Sequence, residues 1–175
     1  TNATTPNTAI YTAAGNTDIW DFTTWTDASV TRDLFTDNQA APRKVDTASA
    51  PTVAAIAGSP PVCAYIKTFN NMVFLVPSTG TDAYLNLRWS DVKTYETWPA
   101  VNALRIGRGD NRIMGMKQFQ DILWVGLEKS FVHIRASTTT DVSVAYQAPE
   151  EGLASHRAIA ATPHGLFWWS RNSGL

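Results

Sequence analysis

The side chains that could do chemistry are few and scattered. The three histidines, His133, His156 and His164, stand far apart along the chain. A zinc site calls for ligands a few residues apart on one element, and no pair of these has that spacing. His133 lies in a strand-like run, on the opposite face from Val132 and Ile134. Carboxylates fall close together at Asp18 and Asp21 and at Glu150 and Glu151. Glycoside hydrolysis needs two carboxylates across a cleft, one of them in an apolar pocket. Glu150-Glu151 sits between Pro149 and Gly152, which reads as a solvated turn. The one cysteine, Cys63, excludes an intrachain disulfide. It lies inside the apolar run Pro61 to Ile66 and reads as a buried small hydrophobe, since a nucleophile needs a base and some exposure. Arg108-Gly109-Asp110 spells an Arg-Gly-Asp tripeptide, but Gly-Asp-Asn is also a common turn. Gly107-Arg108-Gly109 has no Lys-Ser/Thr partner and no following helix, so it is no nucleotide loop. No catalytic residue, cofactor-binding residue or metal ligand is assigned, and the chain is read as a non-enzyme without a cofactor.

The elements that hold these residues are legible as ribbons. Asp121 to Arg135 reads as a hairpin: a polar step, an apolar run, a short turn over Gly126 to Lys129, and a return from Phe131. Aromatic and β-branched residues fill both arms, as suits a half-buried pleated surface. Asn70-Asn71 leads into Met72 to Val76, with a return at Tyr84 to Ser90, and His164-Gly165 leads into Leu166 to Ser170. The polar steps recur at about 50 and then 44 residues, the period of β-propeller blades.

Taken in order, residues 1–8 read as a loop. Ala9 to Thr12, a turn at Ala14-Gly15-Asn16 and Asp18 to Phe22 form a fourth, weaker hairpin. The stretch 26–61 reads as a long inter-blade insertion. Val30, Leu34 and Phe35 permit one or two helical turns there, and Val53 to Ile56 one strand. Val62 to Thr68 is apolar enough to be buried on both faces. Leu85, Leu87 and Trp89 alternate with polar residues and share a face. Further strands are expected over 112–118, 121–126, 130–135 and 142–147, with a new blade from His156 to Thr162. The fold class is all-β, with β-propeller-like blades of antiparallel strands, and residues 1–175 form a single region. The sequence lacks an initial Met and stops in the middle of a blade pattern, so the chain is expected to be a fragment of a larger propeller.

Composition narrows the partners. Lys plus Arg is 14 and Asp plus Glu is 15, so the net charge of −1 argues against a nucleic-acid reader and a polybasic membrane patch. Charged residues make up only 17%, a scarcity that points to surface covered by neighbouring subunits. No apolar stretch is long enough for a membrane span, and no signal peptide is visible.

Two resemblances add to this reading. Ser170-Arg171-Asn172-Ser173-Gly174 resembles the Asp-box turn of sialidase-like propellers, with Asn172 in place of Asp. Ser90-Asp91 to Thr97-Trp98 resembles the same box without its Gly. A larger set of motifs resembles, in its order, the propeller-type tail nozzle or tail-hub proteins of short-tailed bacteriophages. These are Arg88 to Asp91 with Trp98, Gly109 to Ile113, Gly115 to Lys117, Asp121 to Val125, Phe131 to Ile134, Ser155 to Ile159 and Gly165 to Arg171. The resemblance covers roughly residues 62–175. It implies a structural virion protein of the phage tail, with copies of itself in a ring and other tail or neck proteins as partners. Genomic DNA would pass through the conduit without specific binding, during genome ejection. The alternative is a carbohydrate-binding or sialidase-like propeller. Exposed rings at Trp20, Trp98 and Trp124 would suit sugar stacking, and buried ones would suit blade packing.

Overall fold

The computed structural model describes residues 11–12, 20–27, 30–46, 51–149 and 151–171. The leading loop, most of the first hairpin, Asp18, Glu150 and residues 172–174 of the box-like motif lie outside these. Every regular element among the described residues is a β-strand, and neighbours pair antiparallel. The first sheet contains β1 (Asp21–Thr26), β2 (Thr31–Thr36), β3 (Arg43–Asp46) and β4 (Thr52–Ala55). The second contains β5 (Cys63–Phe69), β6 (Met72–Pro77), β7 (Asn86–Trp89) and β8 (Ala103–Arg105). The third contains β9 (Ile113–Phe119), β10 (Ile122–Leu127), β11 (Ser130–Ala136) and β12 (Val142–Pro149). A hairpin follows, β13 (Ile159–Thr162) with β14 (Gly165–Trp168). Each sheet is a meander in which every strand pairs with its neighbour in sequence.

Local chemistry accounts for the turns. Asn70 and Asn71 both adopt positive φ, at 46° and 57°, as a tight hairpin whose twist matches its strands requires. Asparagine tolerates that region better than a bulky residue does. Period-2 alternation then distributes β6 between two cores. Met72, Phe74 and Val76 face one side and Val73 and Leu75 the other, and all five are fully buried. At roughly 1.5–3 kcal/mol for each large apolar side chain removed from water, this strand is a principal source of stability.

The sheets stack in chain order. Trp25, Leu34, Ile66, Leu75 and Trp98 fill the space between the first and second. Phe69, Phe74, Leu87, Trp89, Leu123, Val125 and Ile134 fill the space between the second and third. Phe131, Leu153 and Ile159, with Trp124 and Trp168 against them, join the third to the last hairpin. The first strands also pack in series: β1 on β5, β5 on β9, and β9 on β13.

The stretch 26–61 departs from its expected form. It carries β2 and β3 as well as a strand near 53–56, and the helical turns expected around Val30 to Phe35 are replaced by β2. Leu34 enters the core beside Ile66, and Phe35 packs against Tyr11 and Trp20 at centroid distances of 5.3 and 5.6 Å. Opposite faces of one strand are covered by different neighbours, so the two consecutive apolar residues need no helix. The hairpin turn over Gly126 to Lys129 is also tighter than expected. Gly126 and Leu127 continue β10, and a Cβ on Gly126 would stand 2.6 Å from a Leu153 side-chain carbon.

Candidate functional site

β5 is an edge strand, and edge amides need partners. Side chains of β1 supply them. The Ile66 N–H donates to Asp21 Oδ2 at 2.9 Å, and the Thr68 N–H donates to Thr23 Oγ1 at 2.9 Å. Both strands advance by two residues between these bonds, so β1 and β5 run in the same direction. Asp21 Oδ1 also accepts from the Phe22 N–H at 3.0 Å.

A polar group gathers beside this seam. His156, in the loop before β13, lies with its ring 5.6 Å from that of Tyr65 on β5. Its backbone rests on Gly115 of β9, where a Cβ would come within 2.9 Å of the His156 Cα. Its ring also bonds the backbone of Trp20, and Arg157 Nε donates to its Nε2 at 3.3 Å. Lys67 of β5 and Lys117 of β9 complete the group. Burial raises the pKa of Asp21, against the pull of two backbone N–H groups and of the His156 and Lys67 charges. Burial lowers that of His156, opposed by Asp21. Burial and then the neighbouring Lys117 charge lower that of Lys67. Burial pushes Tyr65 up. Perturbed groups converging from several elements make this junction the candidate site. The nucleophile, base and orienting acid of an acyl-transfer site are not brought into line here: Asp21 is engaged by amides and His156 by Trp20 and Arg157.

Other residues singled out in the sequence fall elsewhere. His133 lies on β11 against Trp124, with centroids 3.7 Å apart, and burial lowers its pKa. His164 is in the β13–β14 turn, its N–H bonded to Thr162 Oγ1. Cys63 is fully buried, and burial pushes its thiol up to about 12. Arg108 and Asn111 bridge the turn that contains Gly109, while the exposed Asp110 is held by Lys129. Ser90 is buried and accepts the Val73 N–H at 2.9 Å, so its motif serves to fix a loop. Among the described residues no group of three or more His, Cys, Asp or Glu could hold a metal ion. Among them, too, no helix is long and apolar enough to cross a membrane.

Two open clefts lie away from the seam. One of about 510 Å³ is lined by Asn70, Gln120, Asp121, Arg135, Ser137 and Asp141, at the hairpin ends of the second and third sheets. Another of about 320 Å³ lies between Arg105, Arg108 and Asn111 on one side and Val132 and Val144 on the other. The Ser137 hydroxyl is bonded to Asp141, and Arg105 is paired with Asp82 at 3.0 Å.

Sequence reasoning singled out Asp21 and His156 separately but not their meeting, and it missed Lys67 and Lys117. The available signal was positional, since the two lysines precede corresponding hairpin turns by the same interval. No family model matches the chain, and no curated protein matches it.

Proposed function

We propose that this chain is a structural virion protein, a subunit of the tail nozzle or tail hub of a short-tailed bacteriophage. Its sheets act as propeller blades, and several copies form a ring around the genome-delivery conduit. The observation that carries the reading is the serial packing of the first strands, β1 on β5, β5 on β9 and β9 on β13. Blades of a propeller are arranged radially around a central channel, and first strands packed in series suit that arrangement. The Asp21 and Thr23 bonds to β5 support the same reading, because they knit adjacent sheets through backbone amides and give a rigid part. The order of motifs over residues 62–175 supplies the assignment to a phage tail, and the near-zero net charge suits a conduit that releases DNA. Neighbours in the tail or neck are its partners.

Native mass measurement and electron microscopy of the intact particle test this. The expected result is a ring of identical copies at the tail. A protein that stays monomeric and has no place in a virion overturns it.

A second reading, a carbohydrate-binding or sialidase-like propeller, draws on Phe167 and Trp169, which are 53% and 54% exposed near the end of β14. Exposed rings can stack on sugars. Against it, Trp98 is 9% exposed and its Nε1–H donates to the Tyr95 carbonyl at 3.0 Å, as a packing residue would. Glycan-array binding abolished by Trp169→Ala would favour this second reading.

A further inference from the structure

The chain that leaves β8 crosses to β9 beside the third sheet. The cleft of about 320 Å³ opens there, with Arg105, Ile106, Arg108 and Asn111 on one side and Val132 and Val144 on the other. A mismatch in strand length accounts for it. β8 has 3 residues and β12 has 8, so β8 is too short to cover β12. Val144 pairs with Ile134 and takes the same face of the sheet. Ile134 is fully buried, yet Val144 is 45% exposed. Val132 belongs to the core between the second and third sheets, and Ile106 packs against it. The cleft is therefore an open mouth of that core, with an apolar wall left uncovered.

Its rim is basic and held in place. The Ile106 and Gly107 N–H groups both donate to the Leu85 carbonyl, at 3.0 and 2.9 Å. Asn111 ties the turn that bears Arg108 to the third sheet. Its Nδ2 donates to Ser130 Oγ at 3.0 Å, and its Oδ1 accepts the Lys129 N–H at 2.9 Å. A rim fixed before a ligand arrives lowers the cost of binding. Among the described residues, none that lines the cleft is acidic. Arg108 has no ion pair among the described residues, and Arg105 meets Asp82 through one nitrogen, Nη1.

We propose that this cleft binds a small oxyanion carried on an apolar body, either a carboxylate or a phosphate monoester. The planar guanidinium fork bonds such oxygens two at a time. A bare anion would meet these arginines in water, where ion pairs are weak. An apolar body that covers Val144 excludes that water and strengthens the pair. Apolar walls with a few placed polar groups are the usual makeup of a small-molecule site. The proposal stands on the crossing between β8 and β9, and it does not depend on the conduit reading.

The test uses the full chain with its valine methyl groups isotopically labelled. Benzoate, phenyl phosphate, inorganic phosphate and benzyl alcohol are titrated in at constant ionic strength while the Val132 and Val144 resonances are followed. At least one of the two aryl anions is expected to move both signals together and saturably. Inorganic phosphate lacks the apolar body and benzyl alcohol lacks the charge, so each should bind at least about tenfold more weakly, a difference of about 1.4 kcal/mol. Arg108→Gln, at an exposed position, should lose about tenfold in affinity for the aryl anion. Arg135→Gln, which removes an equal charge beside the other cleft, should bind like the unaltered protein. Tighter binding of benzoate identifies a carboxylate as the ligand, and tighter binding of phenyl phosphate identifies a phosphate monoester. The proposal is overturned if neither aryl anion moves the two signals saturably, or if benzyl alcohol or inorganic phosphate binds as tightly as they do. Equal losses in Arg108→Gln and Arg135→Gln, or no loss in Arg108→Gln, overturn it as well.

Discussion

The Asp21 carboxylate accepts the backbone N–H of Ile66 at 2.9 Å, across the seam between the first and second sheets. An edge strand is thereby closed by a side chain from another sheet. Asp21→Ala removes that acceptor and leaves a partly buried amide without a partner, at an expected cost of about 1–3 kcal/mol. Urea unfolding measures it. A loss below about 0.5 kcal/mol would mean that water replaces the carboxylate at no cost.

Acidity should act on His156 in a defined direction. Burial lowers its pKa in the folded state. The unfolded chain therefore binds the proton more readily, and stability falls as pH drops from the ordinary histidine value toward the folded one. Asp21 has the opposite sign. Its pKa is raised, so its contribution is fully present below the ordinary carboxylate value and is lost as pH rises through the folded one. Unfolding free energies of the unaltered protein and His156→Gln, compared at pH 5.5 and 7.5, isolate the histidine. The unaltered protein should lose more on acidification, and equal slopes would refute the assignment.

Ring position decides cost. Phe74 is fully buried between the second and third sheets, whereas Phe22 is 59% exposed. Phe74→Ala should cost about 3–5 kcal/mol. Phe22→Ala should cost less than about 1 kcal/mol, because it opens no enclosed cavity. Chemical denaturation of the two variants side by side checks the order.

Gly115 has no room for a side chain, because a Cβ would press on the backbone of His156 at 2.9 Å. Gly115→Ala is expected to destabilise by about 1–3 kcal/mol through overpacking. It should also shift the His156 ring signals in an NMR spectrum. Unchanged histidine signals would contradict the close approach.

The Cys63 thiol is enclosed, and burial pushes its pKa up to about 12. Labelling by an alkylating reagent at neutral pH should wait on opening of the structure, and should speed up in step with added denaturant. Rapid labelling of the native protein would show that the second sheet opens locally.

The ribbons of the second and third sheets were readable because their apolar residues alternate and their hairpins begin with Asn70-Asn71 or Gln120-Asp121. The first sheet was harder. Leu34 and Phe35 are consecutive and buried against different neighbours, which breaks the period-2 signal, and β3 is short and only half-buried. The polar junction was hidden for another reason. Asp21, Lys67, Lys117 and His156 are spread over most of the chain, and only the packing of β1, β5, β9 and the loop before β13 brings them together. Sequence spacing encodes which face a side chain takes, and it does not encode which sheet that face meets.

β6 touches two cores at once, with Phe74 in one and Leu75 in the other. Loosening either side therefore withdraws support from the opposite side as well. Heating should melt the first three sheets as one cooperative unit, so that a calorimeter records a single peak for them, with no surviving intermediate.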